Sequence, residues 1–284
     1  MWTNREIIRT ATAIFATLIG WGVFRLLFPA LDYFTPESLT SQLERSWIIS
    51  HGVRKPAGLV YLALALILMA VSFKAVQQRW PGKRGIKGLI FGTWFGGVWS
   101  FGFLTGWAFL GTTLRSEFIN IGVDLIPLAV AGWLIGLAAG SDVPTAESRM
   151  WKPWLAVLLV ASGFVAVHTL GGRILAAPLG NMAVFLLIPT TLAQVVLLFT
   201  LGLWIGGMYI VLRKGLSFNN TRARIAFFAF GVFGICWTWF NLFFVIEFAH
   251  VIHALVLLGM LGALGVFAGA LIYEGIAGVK QQVG

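Results

Sequence analysis

Charged side chains are scarce in this chain. Asp, Glu, Lys and Arg make up 11% of its 284 residues, against about 25% in a typical soluble protein. Hydrophobic residues make up 59%, and the mean hydropathy is +0.90. The apolar runs leave no charged face, so the formal net charge of +10 does not indicate a nucleic-acid-binding protein. These values exclude a soluble domain and predict an integral membrane protein.

Cysteine and the motifs of common catalytic sites are also lacking. The single cysteine, Cys236, lies inside an apolar run, which excludes an intramolecular disulfide, a zinc ribbon and a CxxC redox centre. The chain has no Walker loop and no HExxH or CxxCH pattern. The middle of each apolar run lacks the lysine that a retinal Schiff base requires. The sequence therefore indicates no catalytic residue and does not favour an enzyme.

Eight apolar segments are each long enough to cross a bilayer. A membrane helix needs about 20 mostly apolar residues to span about 30 Å of hydrocarbon, because its backbone polar groups have to be paired within the segment. The segments that meet this requirement are residues 7–28, 57–73, 88–110, 118–139, 154–170, 191–212, 225–246 and 251–273. We expect a tight turn at residues 247–250 between the last two. The predicted fold is an all-α polytopic membrane protein with eight transmembrane helices.

The basic residues indicate how these helices are oriented. With the N-terminus inside, fourteen of the 20 Lys and Arg residues fall in inner segments and five in outer segments, while Arg25 falls within the first helix. Because short cytoplasmic loops are enriched in Lys and Arg, both termini are predicted to be cytoplasmic. The first apolar segment has a basic lead but no small-residue cleavage site after it, so we expect it to stay as an anchor. The predicted location is the cell membrane, specifically a prokaryotic inner membrane.

The two halves of the chain resemble each other. Each contains four apolar segments, and matching residues such as Gly20 with Gly163 and Gly136 with Gly269 recur at a slowly falling offset. Four crossings return the chain to the same side, so the halves share one orientation, as parallel-repeat transporters do. Residues 1–140 and 141–284 are therefore predicted to form two parallel four-helix repeats.

Glycines recur every fourth residue in several segments, as at Gly88, Gly92 and Gly96. Small residues at this spacing let two helix backbones approach closely. We expect these glycine-rich faces and the aromatic faces beside them to pack the helices and to contact membrane-protein partners or a second copy of the chain. The lipid bilayer is the other expected partner, and no nucleic acid is expected.

Polar residues within or beside the apolar segments gather at the outer end. Ionisable residues inside a membrane are energetically unfavourable, so each is a candidate for function. The candidates in the first half are Arg25, Glu117, Asn120 and Asp124. The candidates in the second half are His168, Asn241, Glu247, His250 and His253. We expect these side chains to line an outward-facing polar vestibule between the halves.

Three interpretations of the second-half cluster remain open. Glu247, His250 and His253, with or without His168, have the ligand types and spacing of a divalent metal site. Alternatively, His168 pairs with His250 or His253 to ligate a haem, or the cluster accepts protons from a quinol at the outer face. The third interpretation is a hydrated turn whose polar side chains solvate the helix ends.

Asp124 lies deeper than the other acids, about a turn and a half inside its segment and shortly before Pro127. A proline removes a backbone donor and can kink a helix. An acid beside a kink is suited to bind an ion or a proton, with Arg25 as its countercharge. The structural alternative is an Asp124–Arg25 pair that only holds two helices together.

These features favour the binding or movement of a small solute or ion through the outer vestibule. One alternative is a membrane subunit of an electron-transfer complex that holds haem, quinone or a metal at the outer face. The other is a structural subunit of a larger membrane complex. An absorption spectrum with metal analysis would separate the redox alternative from the other two.

Overall fold

Helices make up nearly all of the chain that can be described. The computed structural model describes residues 2–27, 43–144, 152–213, 215–216, 218 and 220–283, and these residues contain no β-strand. Side chains are described in the same ranges up to residue 23 of the first helix and up to residue 277 of the last. The prediction of an all-helical protein is therefore confirmed for this part of the chain.

The helices follow one another with short connections. The first half contains α1 (Asn4–Leu27), the one-turn α2 (Trp47–Ser50), α3 (Arg54–Gln77), α4 (Arg84–Leu110) and α5 (Leu114–Ala139). The second half contains α6 (Pro153–Leu179), a 3-10 helix (Gly180–Leu186), α7 (Leu192–Arg213), α8 (Thr221–Ala226), a π-helix (Phe227–Gly234), α9 (Ile235–Asn241), α10 (Phe244–Glu247) and α11 (Ile252–Val283).

Seven helical segments are long and apolar enough to cross a membrane. They are Asn4–Val23, Arg54–Gln77, Leu114–Ala139, Pro153–Leu186, Leu192–Arg213, Thr221–Glu247 and Ile252–Ala277. The helix α4 is 27 residues long, but its glycines and tryptophans lower its mean hydropathy, and it does not belong to this set. The chain is thus a multi-span membrane protein by the length and composition of its helices.

The closest helix contact joins α4 to α5, where glycines face glycines. A Cβ atom added at Gly92 would lie 2.8 Å from the Cα of Gly132, and one added at Gly88 would lie 2.7 Å from the Cα of Gly136. Because residue numbers rise along α4 as they fall along α5, the two helices are antiparallel. Backbone contact of this kind needs residues without a side chain.

The second half has its own close contacts, but between different helices. Gly163 of α6 lies against Gly265 and Gly269 of α11, and Gly202 of α7 lies against Ala161 of α6. In the first half, the glycines of α5 contact α4, whereas in the second half those of α11 contact α6. The glycine contacts are therefore not repeated at equivalent positions in the two halves.

Two features of the second half agree with or go beyond the sequence reading. The expected turn between the last two spans is confirmed, since α10 ends at Glu247 and α11 begins at Ile252. The eight-residue π-helix Phe227–Gly234 was not expected. It interrupts the seventh span just before α9, and such insertions are frequent at functional sites.

Candidate functional site

A cavity of about 690 Å³ opens at the end of the bundle where α3 and α5 begin and α4 ends. We call this end the cavity end. Four helices of the first half contribute its walls, through residues such as Trp21 of α1, Tyr61 of α3, Trp99 of α4 and Asp124 of α5. The second half contributes only phenylalanines, namely Phe240, Phe243 and Phe244. A cavity of this size holds a drug-sized molecule.

Aromatic rings form most of the deep wall. The rings of Tyr61 and Trp99 lie 5.8 Å apart between centroids, and those of Trp99 and Phe240 lie 5.5 Å apart. Trp21 completes the set at 6.3 Å from Trp99. The Tyr61 hydroxyl donates to the backbone oxygens of Trp239 at 2.8 Å and Phe240 at 3.0 Å. These bonds hold α3 against α9 and keep the rings in contact across the two halves.

Two carboxyl groups of α5 lie in this wall. Glu117 and Asp124 both line the cavity, and their exposed fractions are only 1% and 3%. They are seven residues apart, which is about two helical turns, so they share one face of α5 with Asn120. Asn120 is also buried, and its Nδ2 donates to Glu117 Oε2 at 3.5 Å. The face of α5 that sequence analysis singled out is therefore the face turned to the cavity.

Asp124 is held by a tryptophan of the first helix. Trp21 Nε1 donates to Asp124 Oδ1 at 3.0 Å, and both side chains are buried. Asp124 lies ten residues after Leu114, the first residue of α5, which corresponds to about 15 Å of helix. Hydrogen bonds to an ionised carboxylate are stronger than those between neutral groups. The bond thus fixes the carboxylate deep in the cavity and ties α1 to α5.

Glycines of α4 make room for the cavity and for its acids. A Cβ at Gly106 would lie 3.2 Å from Glu117 Oε1, and one at Gly102 would overlap the ring of Phe240. A larger residue at either position would displace a cavity-lining side chain. The glycines near the end of α4 therefore position Glu117 and Phe240.

Basic residues surround the mouth of the cavity. Arg54 and Lys55, at the start of α3, line its rim. Arg54 Nη2 pairs with Glu247 Oε1 at 2.7 Å, and Arg45 Nη1 lies 3.9 Å from Glu247 Oε2. The backbone NH of Ser46 donates to the Glu247 oxygen at 3.0 Å, which ties the segment before α3 to the end of α10. Glu247 therefore balances basic charge at the rim and does not reach the cavity interior.

The histidines lie away from the cavity. His168 is fully buried in α6, where its Nε2 is 3.2 Å from the oxygen of Leu187 and its ring stacks on Phe164. His250 is exposed, with its Nε2 3.9 Å from Glu44 Oε2, and His253 is exposed on α11. Groups of three or more His, Cys, Asp or Glu side chains suited to a metal do not occur within the described ranges.

The remaining predicted residues have other surroundings. Asn241 is buried, but its Nδ2 donates to the oxygen of Trp237 one turn earlier in α9, at 2.8 Å. Arg25 belongs to α1, and its side chain lies outside the described part of the chain. The structure therefore brings Glu117, Asn120 and Asp124 together and does not bring the second-half residues to them.

Several cavity residues were not singled out from the sequence. Trp21 and Tyr61 each carry one polar atom in an otherwise apolar segment, and such an atom has to find a hydrogen-bond partner when buried. That requirement is a signal that could have drawn attention to them, although it does not name the partner. Comparison of the chain with protein-family models, with curated proteins and with solved structures found no match.

Proposed function

We propose that this protein binds a small organic cation in the cavity, as the first step in moving it through the membrane. The observation that carries the proposal is a cavity whose aromatic wall contains two buried carboxyl groups, Glu117 and Asp124. This narrows the expected small solute or ion to a cation with organic groups. It also moves the expected vestibule from the interface of the halves to the first half, with one phenylalanine wall from the second.

Electrostatics supports a cation as the occupant. An ionised carboxylate away from water is unfavourable unless an opposite charge compensates it. Arg54 is already paired with Glu247 at 2.7 Å, and the other rim cation, Lys55, is exposed. A positively charged ligand beside Asp124 and Glu117 would supply the missing compensation inside the cavity.

The aromatic rings support an organic rather than a metal cation. Faces of Trp, Tyr and Phe attract cations through the ring quadrupole, and alkylammonium groups are bound in this way in aromatic cages. Trp21, Tyr61 and Trp99 lie within 6.3 Å of a neighbouring ring in the cavity wall. An inorganic ion would need several oxygen ligands at short distance, whereas this wall offers mainly rings.

The proposal includes an arrangement of eight spans. In support, α4 lies antiparallel to the spanning helix α5 along a glycine contact that includes Gly88, Gly92, Gly132 and Gly136. Helix neighbours also correspond between the halves, since α1 packs on α5 as α6 packs on α11, and α4 contacts α7 as α9 contacts α3. These correspondences support two parallel repeats despite their different glycine contacts.

We further propose that the cavity end faces outward in a cell membrane and that both termini are cytoplasmic. The excess of Lys and Arg in the segments at the opposite end supports this orientation. Lys74, Lys87, Arg213 and Arg224 of the described helices all lie near that opposite end.

Replacing Asp124 by Asn tests the proposal. Two unit charges about 5 Å apart attract by about 3 kcal/mol at an effective dielectric constant of about 20. After desolvation losses, we expect Asp124→Asn to weaken tetraethylammonium binding by about tenfold or more, a change of at least about 1.4 kcal/mol. Calorimetry on purified protein measures this affinity, and uptake into vesicles should fall in parallel.

Asp142→Asn is the matched control, because Asp142 is exposed and bonds to the backbone NH of Arg84 at the opposite end. It makes the same chemical change outside the cavity and should leave the affinity within twofold. If Asp124→Asn unfolds the protein, Glu117→Gln provides the same test. Unchanged affinity in a folded Asp124→Asn protein, or the absence of binding to the wild type, would refute the proposal.

A further inference from the structure

The helices α1 and α3 are joined at the end opposite the cavity. Lys74 Nζ of α3 pairs with Glu6 Oε1 of α1 at 2.5 Å, and the same ammonium group lies 5.4 Å from the ring centroid of Trp2. Lys74 Nζ also donates to the oxygen of Ala139 at the end of α5, at 3.2 Å. These contacts hold the three helices together near the basic end of the bundle.

Toward the cavity end, α1 and α3 offer each other small or exposed residues. Gly22 of α1 and Gly58 of α3 both line the cavity. A Cβ atom added at either glycine would meet none of the described atoms within 4 Å. Leu59, the neighbour of Gly58, also lines the cavity although it is 54% exposed. A side chain that borders the cavity and the outer surface together marks an opening between the two helices.

The edges of this opening are apolar. Leu18 and Gly22 form its α1 side, and Gly58, Leu59 and Leu62 form its α3 side. The surrounding faces of both helices are those that contact lipid in a spanning bundle, since Leu59 and Val60 of α3 and Ile19 and Val23 of α1 are each more than half exposed. A molecule that passes here comes from the hydrocarbon layer and has to be soluble in it.

Taken with the cation site at Asp124, this opening defines the class of ligand. We propose that the opening between α1 and α3 is a lateral portal, through which a lipophilic organic cation passes from the membrane into the cavity. The inference rests on the proposed function, because the charge of the ligand follows from the carboxyl groups of the cavity. It adds that the ligand carries aromatic or branched apolar groups around its charge and arrives from the lipid and not from the water at the rim.

Tetraphenylphosphonium and tetraphenylborate are suitable probes, because they have the same shape and opposite charge and both partition into bilayers. In nanodiscs, the wild type should bind the phosphonium at least about tenfold more tightly than the borate. Equal binding of the two ions would overturn the assignment of a cationic ligand.

The portal is tested by filling it. Gly22→Trp places a large side chain at the opening, and we expect it to slow association of radiolabelled phosphonium by about tenfold or more, measured by rapid filtration of nanodiscs. Gly58→Trp fills the opening from α3 and should act in the same way if Gly22→Trp does not fold. The affinity for tetraethylammonium, which reaches the cavity from water at the rim, should stay within twofold in both variants.

Gly20→Trp is the matched control. Gly20 lies on the same helix, an added Cβ there also meets none of the described atoms within 4 Å, and it does not line the cavity. If Gly22→Trp and Gly58→Trp associate with the phosphonium as fast as Gly20→Trp, the portal is refuted while tetraethylammonium binding still supports the cation site. If the wild type binds neither cation, the proposed function itself fails.

Discussion

Substitution of Gly132 by Ala tests the contact that holds α4 against α5. A Cβ at this position would lie 2.5 Å from the Cα of Gly92 and 2.7 Å from its nitrogen, whereas ordinary contacts of a Cβ begin near 3.4 Å. The two backbones therefore have to separate by about 1 Å. Neither clashing atom belongs to a side chain that could rotate away, so the strain has to be taken up by whole helices.

The magnitude follows from known overpacking effects. Adding one methyl group to a packed interior destabilises a protein by about 1 to 3 kcal/mol. Because the clash here is with backbone, we expect about 3 kcal/mol, the upper end of that range. The higher helix propensity of Ala offsets at most about 1 kcal/mol of this loss. The α4–α5 pair also carries Trp99, Glu117 and Asp124, so the cavity should widen and bind cations less tightly.

Unfolding by sodium dodecyl sulfate in mixed micelles measures the change. Gly122→Ala is the control, because Gly122 lies on the same helix and a Cβ there would meet none of the described atoms within 4 Å. It makes the same gain in helix propensity without the clash and should leave the stability equal or slightly higher. If Gly132→Ala is as stable as Gly122→Ala, the two helices do not pack as described.

Two further substitutions test individual polar contacts. Trp21→Phe keeps an aromatic ring but removes the donor to Asp124, and it should lower the unfolding free energy by about 1.5 to 3 kcal/mol; adding Asp124→Asn to it should change stability less than in the wild type, and full additivity in a double-mutant cycle would contradict the bond. Glu274→Gln removes the carboxylate that accepts from the Tyr209 hydroxyl at 2.7 Å and from Arg213 Nη2 at 2.8 Å. Because these groups are partly buried, we expect a loss of about 2 kcal/mol, measured by thermal unfolding; an unchanged unfolding temperature would exclude a stabilising role for the pair.

The candidate site was partly predictable from the sequence. Glu117, Asn120 and Asp124 share a helix face because their spacing follows the helical repeat, and the structure places that face on the cavity. Their inclusion in a site needed only the high energy of polar groups in an apolar segment. That these residues bind a ligand stays a prediction.

The histidines show where such reasoning ends. His250 and His253 are three residues apart, but His250 has a left-handed backbone with φ of 61° at the turn before α11 begins, and its side chain points to the surface. His168 is buried on α6 against Leu187 and Phe164. Whether residues from different helices meet depends on the rotation of each helix and the shape of each turn, which spacing along one chain does not specify.

The sequence by itself determined the solvent of this protein and its local structure. Apolar segments with few charges have to form helices in a membrane, because no water is present to bond the backbone. The tertiary structure alone decided which helix faces meet. Trp21 reaches Asp124 across 103 residues, and Tyr61 reaches Phe240 across 179. Such partners are chosen by close packing of whole helix surfaces, so the cavity and its opening exist only once those surfaces are in contact.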